Sequence, residues 1–76
     1  MKKVVIYSTP TCTYCHAAKE FFTEKGVEYT ELDVAADLAA RSEMVEKSGQ
    51  MGVPVIDIGG TIVVGFDEER IKEALG

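Results

Sequence analysis

The chain has 76 residues, 46% of them hydrophobic and 28% charged, with a formal net charge of -5. That length predicts one domain over residues 1–76, and the composition excludes a disordered chain. The acidic balance argues against a nucleic-acid partner and against an anionic membrane surface. Lys2 and Lys3 precede an apolar run too short for a signal peptide or a membrane span, so the reducing cytosol is the expected compartment. A monomer is expected.

Lys3 to Ser8, rich in β-branched residues, predicts a buried strand that Pro10 ends. Cys12 and Cys15 follow, two residues apart. From Thr13 to Lys25 the residues Ala17, Ala18, Phe21 and Phe22 recur at helical spacing, with Lys19, Glu20 and Glu24 toward water and Gly26 as the stop. Val27 to Asp33 alternates apolar and charged residues and predicts a second strand. Asp37 caps a second helix from Leu38 to about Ser48, whose apolar face is Leu38, Met44 and Val45, with Gly49 as its stop. Val53–Ile58 and Thr61–Val64 predict two strands joined by the two-residue turn Gly59-Gly60. Gly65-Phe66 leads into Asp67-Glu68-Glu69, an acidic helix start, and Ile71, Ala74 and Leu75 complete a terminal helix.

The order β-α-β-α-β-β-α predicts an α/β fold. The first two strands should be parallel through a right-handed crossover, and the hairpin should add antiparallel strands. The result is a four-stranded mixed sheet flanked by three helices, in three layers.

The chemistry sits between the first strand and the first helix. A thiol reacts as its thiolate, and a free cysteine ionises near about 8.5. At the first turn of a helix the unpaired N–H groups and the helix dipole stabilise a negative sulfur. Cys12 stands at or next to the N-cap, which makes it the expected nucleophile. Cys15 lies about one turn further on the same side, in reach of Cys12, and is the expected resolving thiol. A structural zinc site needs four ligands, and His16 is poorly placed to complete one, so no bound metal is expected. A structural disulfide across so short a loop gains little chain entropy. His16 and Lys19 read as solvated helix residues.

Three further features stand outside the core: Pro54 at a strand start, where it removes a ladder donor, Gly65-Phe66-Asp67, and the exposed Tyr14. Tyr7-Ser8-Thr9, Cys12-Thr13-Tyr14-Cys15, Gly52-Val53-Pro54 and Gly65-Phe66-Asp67 together resemble the glutaredoxins, over nearly the whole chain. The resemblance implies a thioredoxin-like fold and glutathione as co-substrate. It implies glutathionylated or disulfide-bonded proteins as partners. It also implies a cis bond before Pro54, with the Val53 backbone turned outward to pair with glutathione as an added strand. The helix start at Asp67-Glu68 would face the γ-glutamyl carboxylate, and Asp67 would accept from its ammonium. Gly65 and Phe66 belong to the same implied contact set, and Tyr14 would flank the bound sulfur.

The chain departs from many glutaredoxins at four places. Thr13 replaces a proline, which loosens the helix start and alters redox poise. Thr9 stands where a lysine meets a glutathione carboxylate, Gly52 where a threonine precedes Val-Pro, and Val64 where a first glycine stands. Arg41 and Lys47 are the candidate compensating cations. The implied activity is that of a dithiol, glutathione-dependent thiol–disulfide oxidoreductase. The alternatives are a glutaredoxin-like electron donor reduced by thioredoxin reductase, or a dimer binding a [2Fe–2S] cluster.

Overall fold

The computed structural model describes residues 2–76. Its elements are β1 (Val4–Ser8), α1 (Thr13–Glu24), β2 (Thr30–Asp33), α2 (Leu38–Ser48), β3 (Val55–Ile58), β4 (Thr61–Val64) and α3 (Glu68–Leu75). The strands form one sheet in the order β2-β1-β3-β4. β1 pairs parallel with β2, and the β1–β3 and β3–β4 pairs are antiparallel. This is the mixed sheet expected, with its three helices. Among the described residues no helix is long and apolar enough to cross a membrane.

Strand side chains alternate between faces, and this sorts the core into two layers. Val4 and Ile6 of β1, Ile56 and Ile58 of β3 and Val63 of β4 meet Ala18, Phe21 and Phe22 of α1 and Ile71 and Ala74 of α3. On the other face Tyr7 and Val55 meet Val34, and Ala40 and Met44 of α2. The expected hairpin is present: Gly59 and Gly60 both take positive φ, 57° and 98°, as a tight turn between right-twisted strands requires.

The structure corrects several details. β3 begins at Val55 rather than Val53, because Val53 and Pro54 are joined by a cis bond ahead of the ladder. β2 begins at Thr30; Val27 and Tyr29 precede it and pack, half-buried, against the α1 layer. Leu38 was expected on the apolar face of α2 but is 71% exposed. It follows the cap Asp37 directly, and Ala40 takes the buried position instead.

The α2 layer has a polar latch. The Tyr7 side chain is fully buried, and its hydroxyl donates to Glu43 Oε1 at 2.8 Å and accepts from Lys47 Nζ at 2.9 Å. Lys47 also reaches Asp57 Oδ2 at 2.8 Å and Glu43 at 3.0 Å. Alternation along β3 turns Asp57 to this face, opposite Val5. Burial opposes ionisation of Asp57, but Lys47 and the Gly60 amide together hold its carboxyl below the ordinary value. Lys47 is raised by Asp57, then Tyr7, then Glu43. It is committed to the sheet, so it is not the free cation suggested for glutathione. Arg41 remains exposed.

Two substitutions separate packing from the latch. Phe22→Ala should cost about 3–5 kcal/mol, as removal of a fully buried aromatic ring does. Tyr7→Phe keeps the ring and should cost about 1 kcal/mol, shifting the melting temperature by about 4–8 °C. The depressed Asp57 and Glu43 carboxyls stabilise the fold above the unfolded carboxylate range, and that contribution fades as pH falls below about 4. Lys47→Met should therefore flatten the acid limb of a stability–pH curve measured by urea unfolding.

Candidate active site

The register of the sheet gathers the site at one edge. Tyr7, one residue before the end of β1, faces Val55, and Val55 faces Val64. The loop from β1 into α1, the Val53–Pro54 loop and the turn from β4 into α3 therefore leave the sheet on the same side. Gly65 N–H donates to the Pro54 carbonyl at 2.8 Å, which ties the last two together. Gly65 holds φ at +82°, a left-handed conformation that favours glycine. The β2–α2 loop joins them, since Ser8 faces Asp33 and Val34 N–H donates to the Ser8 carbonyl.

Cys12 is the N-cap of α1, with φ −82° and ψ 112°. Its sulfur accepts the Cys15 N–H at 3.1 Å, the role an oxygen plays at most helix starts. Cys12 is half-exposed, whereas Cys15 is fully buried on the underside of α1. Burial first, then the hydrogen bond with Cys12, push the Cys15 thiol up to about 12. The Thr9 backbone and Lys19 pull the other way. His16 is exposed and its ring nitrogen Nε2 lies 2.9 Å from the Pro10 carbonyl, bracing the turn that delivers Cys12.

Beneath α1 lies a polar group that the sequence reading missed. Ser8 Oγ donates to Glu31 Oε2 at 2.7 Å, and Lys19 Nζ reaches the same oxygen at 2.8 Å. Ser8 is the one buried polar residue of the described chain. Lys19 holds the Glu31 carboxyl below its ordinary value, with Ser8 adding to the effect, and Glu31 raises Lys19. Lys19 is therefore not simply a solvated charge. Two signals point to this group: Lys19 follows Cys15 by one helical turn, and Glu31 pairs in register with the inward residue Ile6.

The other expected residues fall as follows. Tyr14 is strongly exposed between the cysteines. Val53 is half-buried and packs toward the α2 layer, and its N–H and C=O have no backbone partner among the described residues. Pro54 is buried. Phe66 turns partly inward, its ring 5.8 Å from that of Phe21 at 72°. Asp67 caps α3, accepting from Arg70 N–H at 3.2 Å, and Glu68 is exposed in the first turn. Among the described residues no group of three or more His, Cys, Asp and Glu side chains is arranged to hold a metal ion.

Known proteins carry the same pattern. The family model Glutaredoxin matches residues 4–63. An uncharacterized glutaredoxin-like 8.6 kDa protein of the rubredoxin operon of Clostridium pasteurianum is 43% identical over 72 residues, covering 95% of this chain and 96% of its own. Glutaredoxin 3 of Escherichia coli is 40% identical over 76 residues, covering 100% of this chain and 92% of its own. The crystal structure of a buckwheat glutaredoxin–glutathione complex superposes with a TM-score of 0.79 at 25% identity, over 97% of this chain and 74% of that one. Likeness of this extent, in sequence and in three dimensions, makes the chain a member of the glutaredoxin family of thiol oxidoreductases, with a thioredoxin-like fold.

Proposed function

We propose that the protein is a dithiol glutaredoxin, a thiol–disulfide oxidoreductase that uses glutathione. One observation carries the reading: the sulfur at the exposed helix start accepts a backbone N–H, while its partner sulfur is buried behind it as a thiol. Cys12 is then the nucleophile and Cys15 the resolving thiol. The Cys12 thiolate attacks the glutathionyl sulfur of a mixed disulfide. A Cys12–glutathione disulfide forms, the original sulfur–sulfur bond breaks, and the substrate leaves as a thiolate that takes a proton from water. The thiolate of a second glutathione then attacks the glutathionyl sulfur, giving oxidised glutathione and returning the Cys12 thiolate. On a protein disulfide, the Cys12 thiolate first forms a mixed disulfide and frees one substrate thiolate. The Cys15 thiolate then attacks the Cys12 sulfur, forming the Cys12–Cys15 disulfide and releasing the second substrate thiolate. Two glutathiones reduce that disulfide and leave as oxidised glutathione.

The site has an internal order. In the reduced state Cys15 keeps its proton, because burial and the Cys12 sulfur both favour the neutral thiol. Once Cys12 is bonded to a substrate sulfur, it no longer holds charge against Cys15. The Thr9 backbone and Lys19, which favour the Cys15 thiolate, are left to act. Lys19, fixed by Glu31 and Ser8, is thus a positioning residue for the second exchange.

Glutathione is supported by the Val53 backbone, which has no backbone partner among the described residues and stands beside cis Pro54, by the capped start of α3 at Asp67-Glu68, and by the buckwheat relative crystallised with it. Tyr14, Gly65 and Phe66 line the same edge and complete the proposed contact set.

Exposure to oxidised glutathione followed by mass spectrometry should place a glutathione adduct on Cys12. Cys12→Ser should abolish turnover. Cys15→Ser should keep removal of glutathione from single thiols but lose reduction of protein disulfides. Turnover surviving in Cys12→Ser overturns the assignment.

A second expectation follows from the Cys15 proton. An unfolded cysteine ionises near about 8.5, whereas folded Cys15 holds its proton to about 12. This stabilisation of the reduced protein is complete below about pH 8.5 and is lost as pH climbs toward 12. Cys15→Ser should flatten that alkaline limb in urea unfolding. Iodoacetamide at neutral pH should label Cys12 well before Cys15.

A further inference from the structure

Between the end of α2 and Val53 the chain closes a small hydrogen-bonded unit of its own. Gly52 N–H donates to Gln50 Oε1 at 2.6 Å, and Gln50 Nε2 donates to the Gly52 carbonyl at 3.0 Å. These partners fix which end of the carboxamide faces which, because an N–H needs an acceptor and a carbonyl a donor. The Gln50 side chain thus pairs with both backbone groups of one residue, as an adjacent strand would. It is itself tied to α2. Gln50 N–H and Nε2 donate to Ser48 Oγ at 3.4 and 3.3 Å, and Ser48 Oγ donates to the Met44 carbonyl at 2.7 Å.

The glycine is part of the same unit. Gly52 does not take positive φ, so its backbone would accept a side chain. A Cβ there would stand 2.7 Å from Gln50 Oε1, closer than real Cβ contacts come. Any larger residue at this position must therefore expel the carboxamide. Glycine, where many glutaredoxins carry threonine, leaves the room that Gln50 uses.

The consequence lies one residue further on. In a trans peptide the C=O and the following N–H point opposite ways from one rigid plane. The Gly52–Val53 bond is trans. By holding the Gly52 carbonyl, Gln50 fixes the plane that carries the Val53 N–H and aims that N–H the other way. The Val53 N–H has no backbone partner among the described residues and is the donor assigned above to glutathione. A hydrogen bond on the carbonyl also polarises the peptide group and strengthens its N–H as a donor.

We infer that Gln50 is a positioning residue for glutathione, a role that rests on the glutathione reading above and names what holds its seat. The carboxamide locks the Gly52–Val53 peptide so that the Val53 N–H meets the incoming tripeptide already aimed. Gly52 contributes by leaving space. A donor ordered in advance spares the ligand the cost of ordering the loop.

The test compares Gln50→Ala, Gly52→Ala and the double variant with the unsubstituted protein. The substrate is the mixed disulfide of glutathione with mercaptoethanol, in an assay coupled to glutathione reductase. Each single substitution should raise KM about threefold to tenfold, the range that one hydrogen bond commands. The double variant should be no worse than either single one, since Gly52 acts only through Gln50. Neither kcat nor the rate at which iodoacetamide labels Cys12 should change, because Cys12 is held by α1. Nitrogen relaxation of the labelled protein should show the Val53 amide loosened by Gln50→Ala and the Cys15 amide unaltered. Unchanged KM in the single variants, or effects that multiply in the double one, overturn the role of Gln50 and leave the glutathione reading intact. A joint fall in kcat, Cys12 labelling and melting temperature marks a merely structural residue and overturns it too. Absence of turnover by the unsubstituted protein overturns the glutathione reading and the role of Gln50 with it.

Discussion

β1 is hydrogen-bonded on both sides, parallel to β2 and antiparallel to β3, and its position fixes nearly everything else. Its last residues set the height at which four loops leave the sheet. It also sets the facing of each side chain beneath the site: Ile6 and Ser8 toward α1, Val5 and Tyr7 toward α2. A slip of one residue would exchange these faces, drive Tyr7 into the α1 layer and separate Ser8 from Glu31. The sulfur chemistry therefore depends on a register held by backbone pairs and by the apolar residues on both faces.

Much of this was legible in the sequence, because much of it is local. The element order, the cap Asp37, the acidic helix start at Asp67, the Gly59-Gly60 turn and the placement of Cys12 at a helix start each rest on signals a few residues long. What remained hidden depends on pairs far apart in the chain. Lys47 meets Tyr7 and Asp57, and Lys19 meets Glu31, only after register and helix packing have been chosen. Lys19 read as a surface charge and Lys47 as a candidate cation for glutathione, since helix spacing does not reveal a partner on a strand. The strand start at Val53 was misplaced for a related reason: Val-Pro has β-like composition, but the cis bond lies ahead of the ladder, which starts two residues later at Val55. Leu38 looked like core because it is apolar at a helix start, yet the cap turns that position outward.

The two cysteines differ in depth. Cys12 stands where an incoming sulfur can reach it and takes an amide hydrogen from its own partner residue. Cys15 is screened by α1, with Ser8, Glu31 and Lys19 below. The arrangement places a polar, charge-balanced group under a fully buried thiol without leaving any buried side-chain nitrogen or oxygen unpaired among the described residues. That balance is demanding, because a buried polar group without a partner costs about 1–3 kcal/mol.

The two faces of the sheet are not equally firm. The α1–α3 side is closed by a continuous aromatic and aliphatic mass, with Phe21 edge-on to both Phe22 and Phe66. The α2 side has a smaller apolar cluster and relies on the polar latch through Lys47. Segments with less buried apolar contact open first, at lower free energy than the whole fold. The sheet and α1 thus form a stiff anvil on which the sulfurs keep their spacing, while α2 is a compliant jaw.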